Sequence, residues 1–183
     1  MNQPLLKPQD MMLTAAPARN ASGFALMDTC RFHLRTIEEA ETAAATAANM
    51  FRDPVRAQAG LRALLLNAVE HGVLEIGHAL KSRLVADGLW AEEIARRESL
   101  PENRRKTIEF VLSRKPDGIF AVVTDPGAGF DWRTWLTVDP ARAGAIAGRG
   151  IARARSASFD ALSYNEAGNQ AVGFIKDEGG MAW

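Results

Sequence analysis

Apolar residues recur along this chain with two distinct periods, and the switches between them outline its elements. From Leu61 to Gly72, Leu61, Leu65, Ala68 and Val69 repeat on a 3.6-residue period and share one broad helical face. Ala63, Asn67, Glu70 and His71 share the opposite face, flanked by Leu64 and Leu66. A helix apolar over so much of its circumference is predicted to be buried on most of its surface. Asn67 is then a buried amide that needs a hydrogen-bonding partner, either within the core or on a ligand or metal. Asp53-Pro54 starts this helix, a cap followed by proline at the first helical position, and Gly72 ends it. Upstream, Cys30 to Arg35 is predicted as a short strand with Phe32 and Leu34 on one face. Thr36 follows as an N-cap, with Glu38 and Glu39 in the first turn of a helix that runs through Ala40 to Met50 and ends near Phe51.

Two further helical stretches, Ile76 to Ala86 and Trp90 to Glu98, are separated by Asp87-Gly88 and closed by Leu100-Pro101-Glu102-Asn103. They read as a helical hairpin inserted at about residues 74 to 100, ahead of the sheet. The period then changes to two: Ile108, Phe110 and Leu112 mark a strand from Thr107 to Ser113. Lys115-Pro116-Asp117-Gly118 has turn chemistry. Ile119 to Thr124 is apolar enough for a central strand that closes a hairpin with the first. Asp125-Pro126-Gly127-Ala128-Gly129-Phe130 follows, then a looser stretch from Asp131 to Ala147 containing Trp132, Trp135 and an Asp139-Pro140 turn. Gly148-Arg149-Gly150 opens a helix from Ile151 to about Ala157. Phe159 to Tyr164 and Gln170 to Lys176 are two more strands, joined through Gly168-Asn169. Residues 1 to 25 lack a period and are predicted to form a flexible arm; 177 to 183 form a tail.

The chain has 183 residues, 47% of them apolar, which predicts one domain with a real core, over about residues 26 to 176. Formal net charge is zero, so nothing favours nucleic acid or an acidic membrane as partner. The short basic run Arg104-Arg105-Lys106 is expected to be a solvated face. No apolar run is long enough to span a bilayer, and the N-terminus lacks the basic-then-apolar pattern of a signal peptide. Cys30 is the one cysteine, which leaves no disulfide framework and no thiolate metal site. It is expected to act as a small apolar residue. These features together predict a cytoplasmic protein.

Four features point to common chemistry: a buried helix with a polar strip, Asp125 at the end of a central strand, glycines at alternate positions after it, and Gly-Arg-Gly opening a helix. Taken singly, each has a plain structural explanation as a core amide, a turn or a flexible entry. Taken together they suit a purine nucleotide. A carboxylate accepts from an exocyclic amine, and glycines let the backbone approach a flat base. A glycine loop at a helix start offers N–H groups to phosphates, and an Asn oxygen is a hard ligand for Mg²⁺.

At these residues the sequence resembles the histidine-kinase-like ATPases, and within them the anti-sigma-factor serine kinases and their relatives. Asn67-Ala68-Val69-Glu70-His71-Gly72 resembles the first box of that family, Asp125-Pro126-Gly127-Ala128-Gly129-Phe130-Asp131 the second, and Gly148-Arg149-Gly150-Ile151 the third. The resemblance covers roughly residues 30 to 176. The inserted hairpin is similar to a variant of the family often joined to a response-regulator domain. The resemblance implies an α/β (α+β) fold, a two-layer sandwich of a mixed sheet and helices, binding ATP or ADP with Mg²⁺. By that resemblance Asn67 would hold Mg²⁺ and Asp125 would bond the adenine amine. Gly127 and Gly129 would shape the base pocket, and Gly148, Arg149 and Gly150 would meet the phosphates. Residues 131 to 147 would be a lid. His71 would lie near the phosphates or serve as a packing histidine at the helix end.

One position departs from the family. The Glu that usually stands four residues before the Asn, where it can activate a hydroxyl or water, is Ala63 here. Glu70 lies across Asn67 and is expected to be solvent-facing or structural rather than a substitute base. No catalytic residue is therefore assigned. The reading is an ATP-binding regulator with weak or absent phosphotransfer, its partner by analogy a sigma factor, an anti-anti-sigma protein or a response-regulator domain. The alternatives are an active serine/threonine kinase acting on an anti-sigma antagonist, and a nucleotide-independent interaction module using the hairpin around Leu89-Trp90. The family often dimerises, so a homodimer is an option, although no dimer surface is legible.

Overall fold

The computed structural model describes residues 21–24, 26–135 and 150–177. A short helical turn, α1 (Ala21–Phe24), lies at the end of the stretch expected to be an unstructured arm. Phe24 and Met27 pack against the core, which ties this segment down. Strand β1 (Thr29–Leu34) leads into α2 (Ile37–Ala48) through a full capping box: the Thr36 hydroxyl accepts from the Glu39 N–H while the Glu39 carboxylate accepts from the Thr36 N–H. The predicted Asp53 cap is also present, its carboxylate accepting from the Arg56 N–H at the start of α3 (Pro54–Asn67).

The helix predicted to run unbroken to Gly72 changes character one turn early. Beyond Asn67 it widens to a π-helix over Ala68–Val73, with the Leu74 N–H reaching back to the Val69 carbonyl. Such widening leaves the face before it less regularly covered and recurs at functional sites. The expected apolar face is buried in full, Leu61, Leu65, Ala68 and Val69 among the core residues.

The inserted hairpin forms as two helices, α4 (His78–Ala86) and α5 (Trp90–Ser99). It is fastened through the last turn of α5. Arg97 donates to the Leu74 and Glu75 carbonyls, and Glu98 accepts from the Ile37 N–H at the start of α2. Lys106, expected on a solvated face, instead donates to the Val73 carbonyl and pairs with Glu75 at 2.5 Å. Its run of three basic residues thus splits, with Arg104 and Arg105 exposed.

Strands β2 (Ile108–Lys115) and β3 (Gly118–Thr124) form the predicted hairpin around Pro116-Asp117. After the Asp125 segment and a 3₁₀ turn at Trp132–Trp135, α6 (Gly150–Arg153) continues as a second π-helical stretch, Ala154–Ser158. Strands β4 (Ala161–Tyr164) and β5 (Gln170–Lys176) complete a sheet in the order β1-β2-β3-β5-β4, with β3 central as its apolarity predicts. The strand expected to start at Phe159 starts two residues later, because Phe159 closes the π-helical stretch with its N–H on the Ala154 carbonyl.

The protein is therefore α+β, with helices covering one face of a five-stranded sheet. Inward-facing Leu34, Ile108, Phe110, Leu112, Ile119, Ala121, Val123, Leu162, Ala171 and Ile175 meet α2 and α3 across one core. The expected mixed sheet is corrected. Every described ladder is antiparallel. The crossover through α6 does bring β4 back parallel to β3, but β5 lies between them and pairs antiparallel with each. Among the described residues, no helix is long and apolar enough to cross a membrane. Cys30 is half-buried in the core-facing row of β1, and burial pushes its thiol up.

Candidate functional site

The polar strip of α3 opens onto a cleft of about 190 Å³. Its walls include Ala63, Asn67, Glu70 and His71 from the strip, Arg62 and Leu66 beside them, Gly150 and Ile151 from the start of α6, and His78 and Lys81 from α4. Its volume is below the roughly 300–1,000 Å³ usual for a whole drug-sized ligand, and suits a phosphate-sized group with its ion. Asn67 lines the cleft as the last residue of α3, and no described residue hydrogen-bonds its side chain. The buried-amide question therefore ends on the cleft rather than in the core.

Glu70 is corrected in one respect: it is not solvent-facing. Only 2% of it is exposed, and its carboxylate is ion-paired with the Lys81 ammonium, which is itself 27% exposed at the cleft. A buried carboxylate needs such a partner, and the inserted hairpin supplies it. This pair consumes Glu70 as a structural tie between the end of the Asn67 helix and the inserted hairpin. At the position four residues before Asn67, Ala63 presents a methyl group to the cleft.

His71 is held by its Nδ1–H, which donates to the Ile76 carbonyl oxygen. A carbonyl can only accept, so this bond assigns the proton to Nδ1 and leaves Nε2 a lone pair. Burial lowers its pKa, the Ile76 bond opposes this, and the Lys81 charge adds to the lowering. The ring of His78 lies 4.2 Å from that of His71, centroid to centroid. Burial, with His71 and Lys81 beside it, lowers His78 to about 4, so both rings are neutral at pH 7. Arg62 contributes its stem and a guanidinium bound to both oxygens of Glu41 at 2.7 and 2.8 Å.

The Asp125 segment is built differently. Asp125 follows β3 on its helix-facing side, half-buried, with its carboxylate accepting from the Gly127 N–H at 2.8 Å. Burial raises this carboxyl to about 6, while the Gly127 bond pulls the other way. Gly72 lies directly against it: a Cβ there would stand 2.3 Å from an Asp125 oxygen, and a Cβ on Gly127 would stand 2.9 Å from the Gly72 Cα. Gly72 and the Asp125-Gly127 segment thus meet backbone to side chain with no room for a methyl group.

Gly129 has a different neighbour from the one expected. It adopts a left-handed φ of 81°, and a Cβ there would run into the Ala167 carbonyl at 1.9 Å. The Phe130 N–H bonds that same carbonyl at 3.0 Å. Asn169 donates to the carbonyls of Asp125 and Gly127, at 3.5 and 3.4 Å. Gly129 is therefore required by the close crossing of the Asp125 segment and the β4–β5 turn, a reason that holds whatever binds nearby.

Of the eight residues singled out from sequence, Asn67, His71 and Gly150 line one cleft. Asp125 and Gly127 gather at Gly72, beyond that cleft along the same helix. Gly129 turns toward the β4–β5 turn, and Gly148, Arg149 and the greater part of the predicted lid lie outside the described residues. Sequence reasoning missed Arg62, His78 and Lys81. Glu70, acidic on a mostly apolar helix, was a signal that a cation must approach; nothing in the spacing identified Lys81 as that cation. Among the described residues, no three His, Cys, Asp or Glu side chains converge as a metal cage. Compared with protein-family models and with curated proteins, the chain matches none.

Proposed function

We propose that this chain is an ATP-binding regulatory protein of the anti-sigma-factor type within the histidine-kinase-like ATPases, with weak or absent phosphotransfer. The observation that carries the reading is the Asn67 amide, without a described hydrogen-bond partner, facing a cleft shared with His71 and Gly150 while Gly72, on the same helix, abuts Asp125. The donor set fits the group it would take. Mg²⁺ keeps several waters and takes few protein oxygens when phosphates supply the rest, so a lone Asn oxygen suffices. Asp125, a half-buried carboxylate with one backbone donor, has acceptor capacity left for an exocyclic amine. Lys81 and Arg62 stand at the cleft wall where phosphates would lie, their charges balanced by Glu70 and Glu41.

The reading of weak or absent phosphotransfer rests on two side chains. Ala63 at the cleft wall cannot take a proton, and Glu70 is already committed to Lys81. Nucleotide would then act by favouring one arrangement of the segment that covers it, and a protein partner of the sigma-factor, anti-anti-sigma or response-regulator class would read that arrangement.

Thermal melting with Mg²⁺ and ATP or ADP tests this. Ligand at 100 times its dissociation constant adds about 2.7 kcal/mol of stability. Asp125→Ala abolishes the shift, and Asn67→Ala removes mainly its magnesium dependence. Ala63→Glu raises ATP turnover above the wild-type level. The absence of any shift with adenine nucleotides would overturn the reading.

A further inference from the structure

Tyr164 lies on β4, two strands away from Asp125 in the sheet but on the same face. The register aligns Val123, Ala171 and Tyr164 across β3, β5 and β4. Val123 and Asp125 are two residues apart and face the same way, and Tyr164 alternates with buried Leu162 on that same helix-facing side. Two aromatic rings hold the phenol in place. Trp132 stacks on it at 5.8 Å and 22°, and Phe130 meets it edge-on at 5.5 Å and 81°. Trp132 is itself anchored, its indole N–H donating to the Asn165 carbonyl at 2.8 Å.

Two polar groups therefore converge at this end of the sheet with capacity to spare. The Tyr164 hydroxyl is buried, and no described residue hydrogen-bonds it. The Asp125 carboxylate takes a single N–H. They are near enough that the Asp125 charge reinforces burial in pushing the phenol up, yet they do not bond each other. A buried hydroxyl without a partner is destabilising, and one so firmly braced cannot turn away to find water.

We infer that Tyr164 is a specificity-determining residue of the nucleotide site, its hydroxyl donating to the ring nitrogen of the base beside the exocyclic amine that Asp125 accepts. This deepens the proposed function and rests on it. Adenine presents a donor next to an acceptor on that edge, matching carboxylate and phenol in order. Guanine presents the reverse, setting a carbonyl oxygen against the carboxylate and a ring N–H against the phenol. The Tyr-Asp pair thereby selects adenine over guanine, a discrimination of the kind in which a mismatched partner leaves buried polar groups unpaired.

The test uses the full chain and its Tyr164→Phe variant, titrated calorimetrically with Mg-ATP and Mg-GTP and melted without ligand. The variant melts at the wild-type temperature or above it, because the hydroxyl removed has no protein partner. It binds Mg-ATP roughly five- to tenfold more weakly, the share of a neutral hydrogen bond, and its ATP-over-GTP preference narrows. If the wild type binds no adenine nucleotide, both the proposed function and this inference are overturned. If the wild type binds and the variant matches it in affinity and preference, this inference alone is overturned. A variant that melts lower than wild type also overturns it, since the hydroxyl then has a structural partner.

Discussion

The Asp125 end of the site and the cleft along α3 are built by opposite means. At Asp125, Gly72 and Gly127 bring two chain segments together with no side chain between them, and the fit leaves less than a methyl group of space. Along the cleft, contact is made by long charged side chains: Lys81 reaches Glu70 from the inserted hairpin, and Arg62 reaches Glu41 from α3 to α2. The first arrangement is intolerant of added volume. The second accommodates volume but not the loss of a charge. Position thus depends on steric closeness at the Asp125 end and on paired charge at the other.

The largest effect expected from this contrast is at Lys81. Lys81→Met leaves Glu70 buried without its cation, which costs about 3 kcal/mol, the low end for such losses because Lys81 is itself partly exposed. Urea denaturation at pH 7 measures it, and adding Glu70→Leu restores most of the loss. A single-variant loss below about 1 kcal/mol would mean that the pair does not tie the insertion down.

Next in size is the glycine comparison. Gly72→Ala forces Asp125 aside and costs about 1–3 kcal/mol. Gly150→Ala, where an added Cβ meets no atom of the described residues within 4 Å, changes stability by less than about 0.5 kcal/mol. Equal effects in the two melting curves would break the distinction between the ends.

In pH dependence the contrast is one of sign, and the two ends have opposite signs. Burial raises Asp125 from 3.8 to about 6, so its contribution to stability is present below 3.8 and lost as pH rises through 6. Burial lowers His78 from 6.5 to about 4, so its contribution is present above 6.5 and lost as pH falls toward 4. Asp125→Asn therefore makes stability climb more steeply between pH 4 and 6, and His78→Gln makes it climb less. Parallel changes in the two variants would show that the titrations are not assigned to these groups.

Much of the frame is legible locally. The Thr36 and Asp53 caps, the Pro116-Asp117 hairpin and the central position of β3 each follow from a few neighbouring residues, and each forms. The polar strip of α3 is equally local, and Ala63, Asn67, Glu70 and His71 do share one cleft. What was not legible involves meetings between distant segments. Glu70 needed a cation, but the hairpin's orientation selects Lys81. Gly129 was singled out for a ligand, and its close crossing with the β4–β5 turn was not legible. The sheet looked mixed until β5 is seen between β3 and β4.

Sequence by itself determined where helices start, which faces are apolar, and that Asn67, Asp125 and the glycines are unusual in their settings. Those properties depend on backbone preference and side-chain period, which act over a few residues. Tertiary structure alone decided that Gly72 touches Asp125, that Lys81 neutralises Glu70, and that Tyr164 lies on the same sheet face as Asp125 with its hydroxyl buried. Such contacts depend on how helices pack on a sheet, a balance of burial and loop closure across the whole chain that no local pattern encodes.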